Sequence, residues 1–280
     1  MGATGRVGRL LSRAWAGAAG QGVAPLWQGR RPCPGQDRLA LDPLADPEGL
    51  VRAAGGMGAI LVLAGVTPAT AAHPGDYRAN TELALAAIAA AERAGVPRVF
   101  LASSVAVYGA PGQGGMLRED GPAEPVSDYG RAKLEMEDAA QAASRTAGVI
   151  ALRIGNVAGA DQLLGPGRRD VRLDIFPDGT APRRSYIGPG TLARVLSDLL
   201  HHPGPLPECL NLSAPGAVSM ADLLRAAGMP VRARPAPAGL IPAVELDVSR
   251  LAGLVPLAPG DGSPEAIVRD WDTLTGGQAI

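Results

Sequence analysis

Short apolar runs alternate with longer stretches rich in Ala and Leu along the first 155 residues. Between the runs, the pattern predicts a helix over 76–94, begun by Asp76 as a cap and ended by Gly95, and a second helix from near Ser127 to Gly148. This alternation is typical of an α/β fold with a doubly wound parallel sheet. The predicted strands are 23–27, 39–41, 60–64, 99–102 and 149–154.

Turns become denser after residue 155, and the pattern becomes looser. We expect a nucleotide-binding domain at 1–155 and a smaller, interleaved substrate-binding portion at 156–280. The elements predicted in this second portion are helices at 192–200 and 220–227 and short strands at 206–212 and 244–248.

The composition favours a small soluble ligand. A net charge of −1 gives no basic field for nucleic acid or an anionic membrane. The longest run of small and apolar residues, 83–91, is far shorter than the roughly 20 residues of a membrane helix, and we expect a cytoplasmic protein. Cys33 and Cys209 stand apart and the three His form no cluster, so no metal site is predicted.

Gly2, Gly5 and Gly8 form a Gly-x-x-Gly-x-x-Gly run just before a predicted helix start at Arg9. Such glycines let the backbone turn tightly and approach a pyrophosphate, which the helix N-terminus then stabilises. A chain with 38 glycines also produces such a run by chance, so the run alone is a weak signal.

Tyr129 and Lys133 are four residues apart on a predicted helix and therefore share a face. A free Tyr has a pKa of about 10, and a nearby ammonium makes it a better base by stabilising the phenolate. An ordinary exposed pair is the alternative reading. Upstream, the strand at 99–102 leads into Ser103 and Ser104, at the carboxyl end where ligands of open α/β sheets bind.

Three motifs in this order resemble the extended short-chain dehydrogenase/reductase family, the NAD(P)-dependent epimerase/dehydratase group. They are Gly-Ala-Thr-Gly at 2–5, Ser-Ser-Val-Ala-Val-Tyr-Gly at 103–109 and Tyr-Gly-Arg-Ala-Lys at 129–133. The similarity continues at 63–66, at Asn80 and at 152–157.

The resemblance implies a Rossmann-type sheet with a small C-terminal substrate-binding portion. It implies that Tyr129 is the general acid/base, that Lys133 lowers its pKa and contacts the nicotinamide ribose, and that Ser104 orients the substrate. Ser104, Asn156 and Arg184 would face the substrate. The other implied cofactor contacts are Gly2, Thr4, Gly5, Val7, Gly8, Asp42, Ala64, Gly65 and Asn80.

The end of the second predicted strand bears on the choice of cofactor. It reads Gly29-Arg30-Arg31, without the acidic residue that binds a ribose 2′-hydroxyl. Arg30 or Arg31 would instead receive a 2′-phosphate, which slightly favours NADP over NAD. A solvated basic turn is the alternative.

The chain departs from the family pattern at several places, among them a short insert before Leu173 and the run that begins at Ser185. Ala158 stands where sugar-nucleotide enzymes carry Tyr, and Val105 and Ala106 stand where dehydratases carry Asp and Glu. We therefore expect a reductase or epimerase that acts on a carbonyl or carbinol carbon, with a sugar nucleotide as one candidate substrate. The alternative is a non-catalytic NAD(P)-binding regulator. The resemblance also implies a homodimer through the helices that carry Leu83, Ile88 and Tyr129.

The phosphate loop begins at Gly2, so the sequence has no first strand ahead of it, although that strand is central in the order 3-2-1-4-5-6. We expect that the natural protein starts upstream with a short apolar strand. A degenerate copy that folds poorly is the alternative.

Overall fold

A computed structural model describes residues 1–17, 22–31, 38–110, 115–165 and 171–276. Of the residues discussed above, Cys33 lies outside these ranges. The helices are α1 (Arg6–Ala16), α2 (Pro47–Ala54), α3 (Arg78–Ala94), α4 (Asp128–Ala143), α5 (Pro189–Leu200), α6 (Met220–Ala226), α7 (Ser249–Ala252) and α8 (Pro264–Thr275).

The strands are short except for two in the centre of the sheet. They are β1 (Gln28–Gly29), β2 (Leu39–Ala40), β3 (Ile60–Val62), β4 (Arg98–Ser104), β5 (Gly148–Ile154), β6 (Asn156–Val157), β7 (Arg172–Ile175), β8 (Arg183–Arg184), β9 (Tyr186–Ile187), β10 (Cys209–Leu212), β11 (Val218–Ser219), β12 (Arg232–Pro235) and β13 (Ala243–Val244).

The main sheet has the order β10-β5-β4-β3, and every pair in it is parallel. β1 and β2 form a separate parallel pair. Helices cover both faces of the main sheet because successive residues of a buried strand point to opposite faces. Phe100 packs in the core cluster that includes α1 and α5, whereas Val99 and Leu101 pack in the cluster that includes α3 and α4. The predicted doubly wound α/β fold is confirmed.

The C-terminal portion is interleaved with the sheet rather than appended to it. β10 pairs with β5, and in this pairing Cys209 lies opposite Ala151. Leu210 and Leu212 are fully buried in the same core cluster as Leu152. A cut at residue 155 would therefore remove an edge strand from the nucleotide-binding sheet.

Two local predictions are wrong. The run 23–27 is not a strand, and only Gln28–Gly29 pairs with β2, because a strand needs a ladder partner and 23–26 has none among the described residues. Asp76 does not cap the long helix. It accepts hydrogen bonds from the amides of Ala72 and His73 at 2.8 and 3.0 Å, at the start of a 3₁₀ turn that precedes α3.

Ile88 in α3 is 2% exposed and packs against the sheet, while Leu83 on the same helix lines a cleft described below. The homodimer through α3 and the helix that carries Tyr129 stays a prediction. No helix in the described ranges is long and apolar enough to cross a membrane.

Met1 to Ala3 connect the two parallel sheets. The amino group of Met1 donates to the carbonyl of Leu61 at 2.6 Å, and the amide of Leu63 donates to the carbonyl of Met1 at 3.0 Å. On the other side, the amide of Ala3 donates to the carbonyl of Gln28 at 2.9 Å. The segment lies where a central strand would end, and burial lowers the pKa of the Met1 amino group to about 5.

This buried amine predicts a pH dependence of stability. An unfolded chain protonates its amino terminus below pH of about 8, whereas the folded amine stays neutral down to about pH 5. The unfolded state therefore binds more protons between these values, and the free energy of unfolding should rise with pH across this window, by up to about 4 kcal/mol. Urea unfolding of the chain that begins at Met1, at pH values from 5 to 8, measures this rise. Nα-acetylation is the control because it removes the titrating group, and equal pH slopes with and without the acetyl group would contradict the assignment.

Candidate active site

The loop between Met1 and α1 can turn as it does only because of its glycines. Gly2 has φ of +86°, and a Cβ at this position would lie 2.5 Å from the amide nitrogen of Ala64. A Cβ on Gly8 would meet the carbonyl oxygen of Gly2. Gly5 is not crowded in this way, since its nearest atom would be 3.4 Å away. The conformation of the loop therefore requires glycine at positions 2 and 8, whereas the backbone of Gly5 is not crowded by neighbouring atoms.

The N-terminus of α1 points into a cleft of about 540 Å³. Gly5 is the N-cap, with no side chain to bond the first amides, and the first turn has no acidic residue. Free N–H groups and the helix dipole at such an end favour an anion. The glycine loop and this helix end therefore fit the pyrophosphate of a dinucleotide. The predicted residues that line the cleft are Gly2, Thr4, Gly5, Arg30, Asp42, Ala64 and Gly65.

Gln28 holds the two sides of this cleft together, and sequence reasoning did not find it. Its side-chain amide donates to the carbonyl of Leu41 at 2.5 Å, and its side-chain oxygen accepts from the amide of Gly2 at 3.2 Å. Gln28 is 6% exposed. It therefore ties the phosphate loop to the segment that leads into Asp42.

A second cavity of about 650 Å³ shares Gly5 and Gly65 with the first. The two cavities thus adjoin each other at these residues, whereas Ser104 and Lys133 line neither of them. The predicted residues that line the second cavity are Gly5, Val7, Gly8, Gly65, Tyr129, Asn156 and Arg184.

Tyr129 lies in the first turn of α4, close to Ser104. The Ser104 hydroxyl accepts from the amide of Ala106 at 3.2 Å and lies near enough to the Tyr129 hydroxyl to lower its pKa. α4 can come this near because Gly130 packs directly against the carbonyl of Ala106. Ser127 caps the helix by accepting from the Gly130 amide at 3.0 Å.

Lys133 is 5% exposed and lies below Tyr129 on the same helix face. Its Nζ is 5.9 Å from the centroid of the Tyr129 ring and donates to the carbonyl of Ala102 at 2.7 Å. Burial lowers the pKa of Lys133 to about 8, opposed by the charge of Glu137. Burial raises the pKa of Tyr129, and the hydrogen bond with Ser104 opposes this rise. The protein groups around Tyr129 therefore favour the neutral phenol, and the expected lowering of its pKa by Lys133 is not seen in this arrangement.

Three predicted residues have other contacts. Asn80 lines neither cavity. Its side-chain oxygen accepts from the amide of Val66 at 3.0 Å, and its side-chain nitrogen donates to the carbonyl of Val66 at 3.1 Å. Arg31 is exposed and lines neither cavity. The Arg184 guanidinium donates to the carbonyls of Ile241 and Pro242, at 2.9 and 3.3 Å, while it also lines the second cavity.

Residues 1–172 match the NAD dependent epimerase/dehydratase family. The chain belongs to this family of NAD-dependent enzymes. The match covers the phosphate loop and the helix with Tyr129 and Lys133, so the resemblance drawn from those motifs is confirmed.

Curated relatives from this family match parts of the chain. A UDP-glucose 4-epimerase from Azospirillum brasilense is 41% identical over 99 residues, which are 34% of this chain and 28% of that protein. A dTDP-6-deoxy-L-talose 4-dehydrogenase (NAD(P)(+)) from Kitasatospora kifunensis is 34% identical over 184 residues, 58% of this chain and 52% of that protein. The chain thus matches about a quarter and about half of the length of these relatives.

The fold is also that of solved members of the family. The crystal structure of UDP-glucose 4-epimerase from Brucella ovis in complex with NAD superposes with a TM-score of 0.78. It is 25% identical, and the comparison covers 96% of this chain and 95% of that one.

A buried ionic network beneath α4 escaped the sequence analysis. Glu137 and Arg153 are 6% and 7% exposed, and Arg153 donates to both carboxylate oxygens of Glu137. Ser103 donates a short hydrogen bond to the same carboxylate. The Arg153 guanidinium also lies 4.7 Å from the centroid of the Tyr108 ring. The network thus joins α4, one turn below Lys133, to β4 and β5.

We expect Glu137→Gln to destabilise the protein strongly. The change leaves the Arg153 charge buried without its counter-ion, which typically costs about 3–5 kcal/mol. Urea unfolding measures the loss. The matched control is Glu82→Gln, which breaks an exposed pair with Arg78 and should cost no more than about 0.5 kcal/mol. Equal losses of unfolding free energy in the two variants would contradict a stabilising role of the buried pair. The double change Glu137→Met with Arg153→Met should recover much of the lost stability, because it removes both charges.

Proposed function

We propose that the protein catalyses the NAD(P)-dependent, reversible oxidation of a carbinol carbon in a nucleotide-linked sugar, as an epimerase or a dehydrogenase. The observation that carries this proposal is the position of the Ser104–Tyr129 pair. Tyr129 borders the second cavity, which is continuous with the cleft below the helix N-terminus of α1. The proposed proton-transfer group therefore borders a substrate-sized cavity that adjoins the cleft below α1.

The cofactor, when bound, accepts or returns the hydride. The backbone of the glycine loop and the first amides of α1 would hold its pyrophosphate, with Asp42 at the adenine end of the cleft. Lys133 is placed on the inner side of Tyr129 and would contact the nicotinamide ribose. Asn80 supports the site indirectly, since it fixes the main chain beside Gly65.

Tyr129 would accept the proton of the substrate hydroxyl as the hydride leaves, and return it in the reverse step. Ser104 would orient that hydroxyl from its position beside Tyr129. Because burial favours the neutral phenol, Lys133 has to stay charged to ease proton transfer. With a pKa near 8, most of the Lys133 side chains carry their proton at neutral pH.

The substrate class is proposed from the second cavity and the relatives. Arg6 and Arg184 line this cavity, and guanidinium groups suit a diphosphate. Both curated relatives are named for nucleotide sugars. Asn156 would contact the sugar. Dehydration is not part of the proposal, because Val105 and Ala106 follow Ser104 and offer no acid or base.

Tyr129→Phe should lower kcat by about 100-fold or more while the affinity for the cofactor stays within a few-fold of the unchanged protein. The phenyl ring keeps the packing, and only the proton-transferring oxygen is lost. Steady-state kinetics with UDP- and dTDP-linked hexoses, together with cofactor titration, measure both quantities. Tyr77→Phe is the matched control, because its ring lies 5.6 Å from that of Tyr129 and its hydroxyl has no role in the proposal.

Unchanged turnover in Tyr129→Phe would contradict the acid/base role. Tight cofactor binding without turnover of any nucleotide sugar, in a well-folded protein, would favour the regulator instead.

Arg30 is proposed to bind the 2′-phosphate of NADP, since it lines the cofactor cleft and Arg31 does not. Arg30→Ala should weaken the binding of NADP about tenfold and leave the binding of NAD unchanged, because only NADP carries the phosphate. Calorimetric titration with each cofactor measures this difference, and Arg31→Ala is the control. Equal losses for both cofactors, or none, would contradict the role of Arg30 and favour NAD.

A further inference from the structure

Asp161 lines the second cavity, but its carboxylate is engaged within the protein. One of its oxygens accepts from the amide of Leu164 at 3.0 Å, and the other accepts from the amide of Leu163 at 3.1 Å. The Tyr186 hydroxyl lies 2.6 Å from the oxygen that accepts from Leu163. Burial raises the pKa of Asp161, and these three hydrogen bonds oppose the rise. Because a phenol is a far weaker acid than a carboxyl group, Tyr186 is the donor in its bond to Asp161.

Tyr186 keeps its proton and directs it to this carboxylate. Its side chain is 1% exposed. Burial raises the pKa of Tyr186 well above its ordinary value, and the charge of Asp161 raises it further. A phenol has a single hydrogen to donate. Since that hydrogen is bonded to Asp161, the phenol oxygen can take part in a further hydrogen bond only as an acceptor.

Asn156 is the neighbour that reaches this phenol oxygen. It pairs with Tyr186 in the parallel ladder of β6 and β9, and paired residues of a ladder point to the same face of the sheet. Both side chains line the second cavity. Against the rise caused by burial, the Asn156 side chain lies near enough to the Tyr186 hydroxyl to lower its pKa. A neighbouring amide has this effect when it donates.

We propose that Asp161 and Tyr186 are positioning residues, which hold Asn156 with its NH₂ group on the phenol oxygen and its carbonyl oxygen towards the second cavity. The opposite orientation would bring two acceptor oxygens together with no hydrogen between them, which is costly in a buried place. Asn156 therefore offers the ligand an acceptor. The ligand group that binds there is a hydroxyl or an amino group.

This orientation narrows the substrate class, and this part rests on the proposed function. A diphosphate has no hydrogen to donate at neutral pH, so its oxygens would be repelled by the Asn156 oxygen. The sugar of a nucleotide sugar would thus lie against β6, with one of its hydroxyls on Asn156. The diphosphate would be left to the guanidinium groups of Arg6 and Arg184, which line the same cavity.

The first test uses the ligand-free protein labelled with ¹⁵N at asparagine. The chain contains three asparagines, Asn80, Asn156 and Asn211, so three side-chain amide groups appear, and Asn156→Ser identifies the one that belongs to Asn156. We expect a nuclear Overhauser effect between this NH₂ group and the Tyr186 ring. Its hydrogen exchange with water should also be at least about tenfold slower than in Tyr186→Phe, where the acceptor is lost. Equal exchange rates in the two proteins would overturn the proposal, because the NH₂ group would then face the cavity.

The second test is calorimetric titration with UDP and with UDP-glucose. Tyr186→Phe keeps the ring and should weaken the binding of UDP-glucose about tenfold and that of UDP less than about twofold, because UDP lacks the hexose. Asp161→Ala should act in the same way, since it frees the Tyr186 proton to bond the Asn156 oxygen. Its control is Asp178→Ala, which removes a comparable carboxylate bond to the amide of Thr180, of 2.9 Å, and should leave both affinities unchanged.

The two tests separate the orientation of Asn156 from the proposed function. Equal losses of affinity for UDP and UDP-glucose in Tyr186→Phe and Asp161→Ala would overturn the proposal, because these residues would then only support the fold. If the unchanged protein binds neither ligand while the amide of Asn156 behaves as expected, the orientation is supported and the nucleotide-sugar function is contradicted.

Discussion

The hydrogen bonds of Met1 and Ala3 with two parallel edges determine where the phosphate loop begins. β3 lies on one side of the segment and β1 on the other, and Gln28 adds a side-chain bond to Gly2. From this point Gly2 turns the chain with a positive φ and directs α1 across the sheet. The cleft, its open helix end and its border with the second cavity all follow from that placement. A loosening of these few bonds would therefore move the whole phosphate loop.

The position of Tyr129, the proposed acid/base group, depends on a second constraint, which is the close approach of α4 to the end of β4. Gly130 permits this approach, and the buried pair of Glu137 and Arg153 fixes the same helix two turns further along. Lys133 lies between these two fixed points and is bonded to the Ala102 carbonyl. Its position is thus set by the sheet and the helix together. A loop is not needed to place it.

Local patterns predicted what depends on local geometry. The spacing of Tyr129 and Lys133 places both on one face of a helix whatever surrounds it, and the glycine run requires a tight turn before a helix. The pKa of Tyr129 could not be predicted in this way, because its burial comes from packing between distant elements. The burial of Glu137 also comes from packing between distant elements. A lone Arg153 within an apolar strand was the available signal, since a buried Arg needs an acidic partner.

The most direct test of this account is a crystal structure of the protein with NAD(P) and a nucleotide sugar. The account predicts the pyrophosphate within hydrogen-bond distance of the first amides of α1. It also predicts that the Tyr129 hydroxyl lies within hydrogen-bond distance of a sugar hydroxyl, beside the nicotinamide ring. A cofactor bound elsewhere, or a sugar whose hydroxyls lie far from both Tyr129 and Ser104, would contradict it.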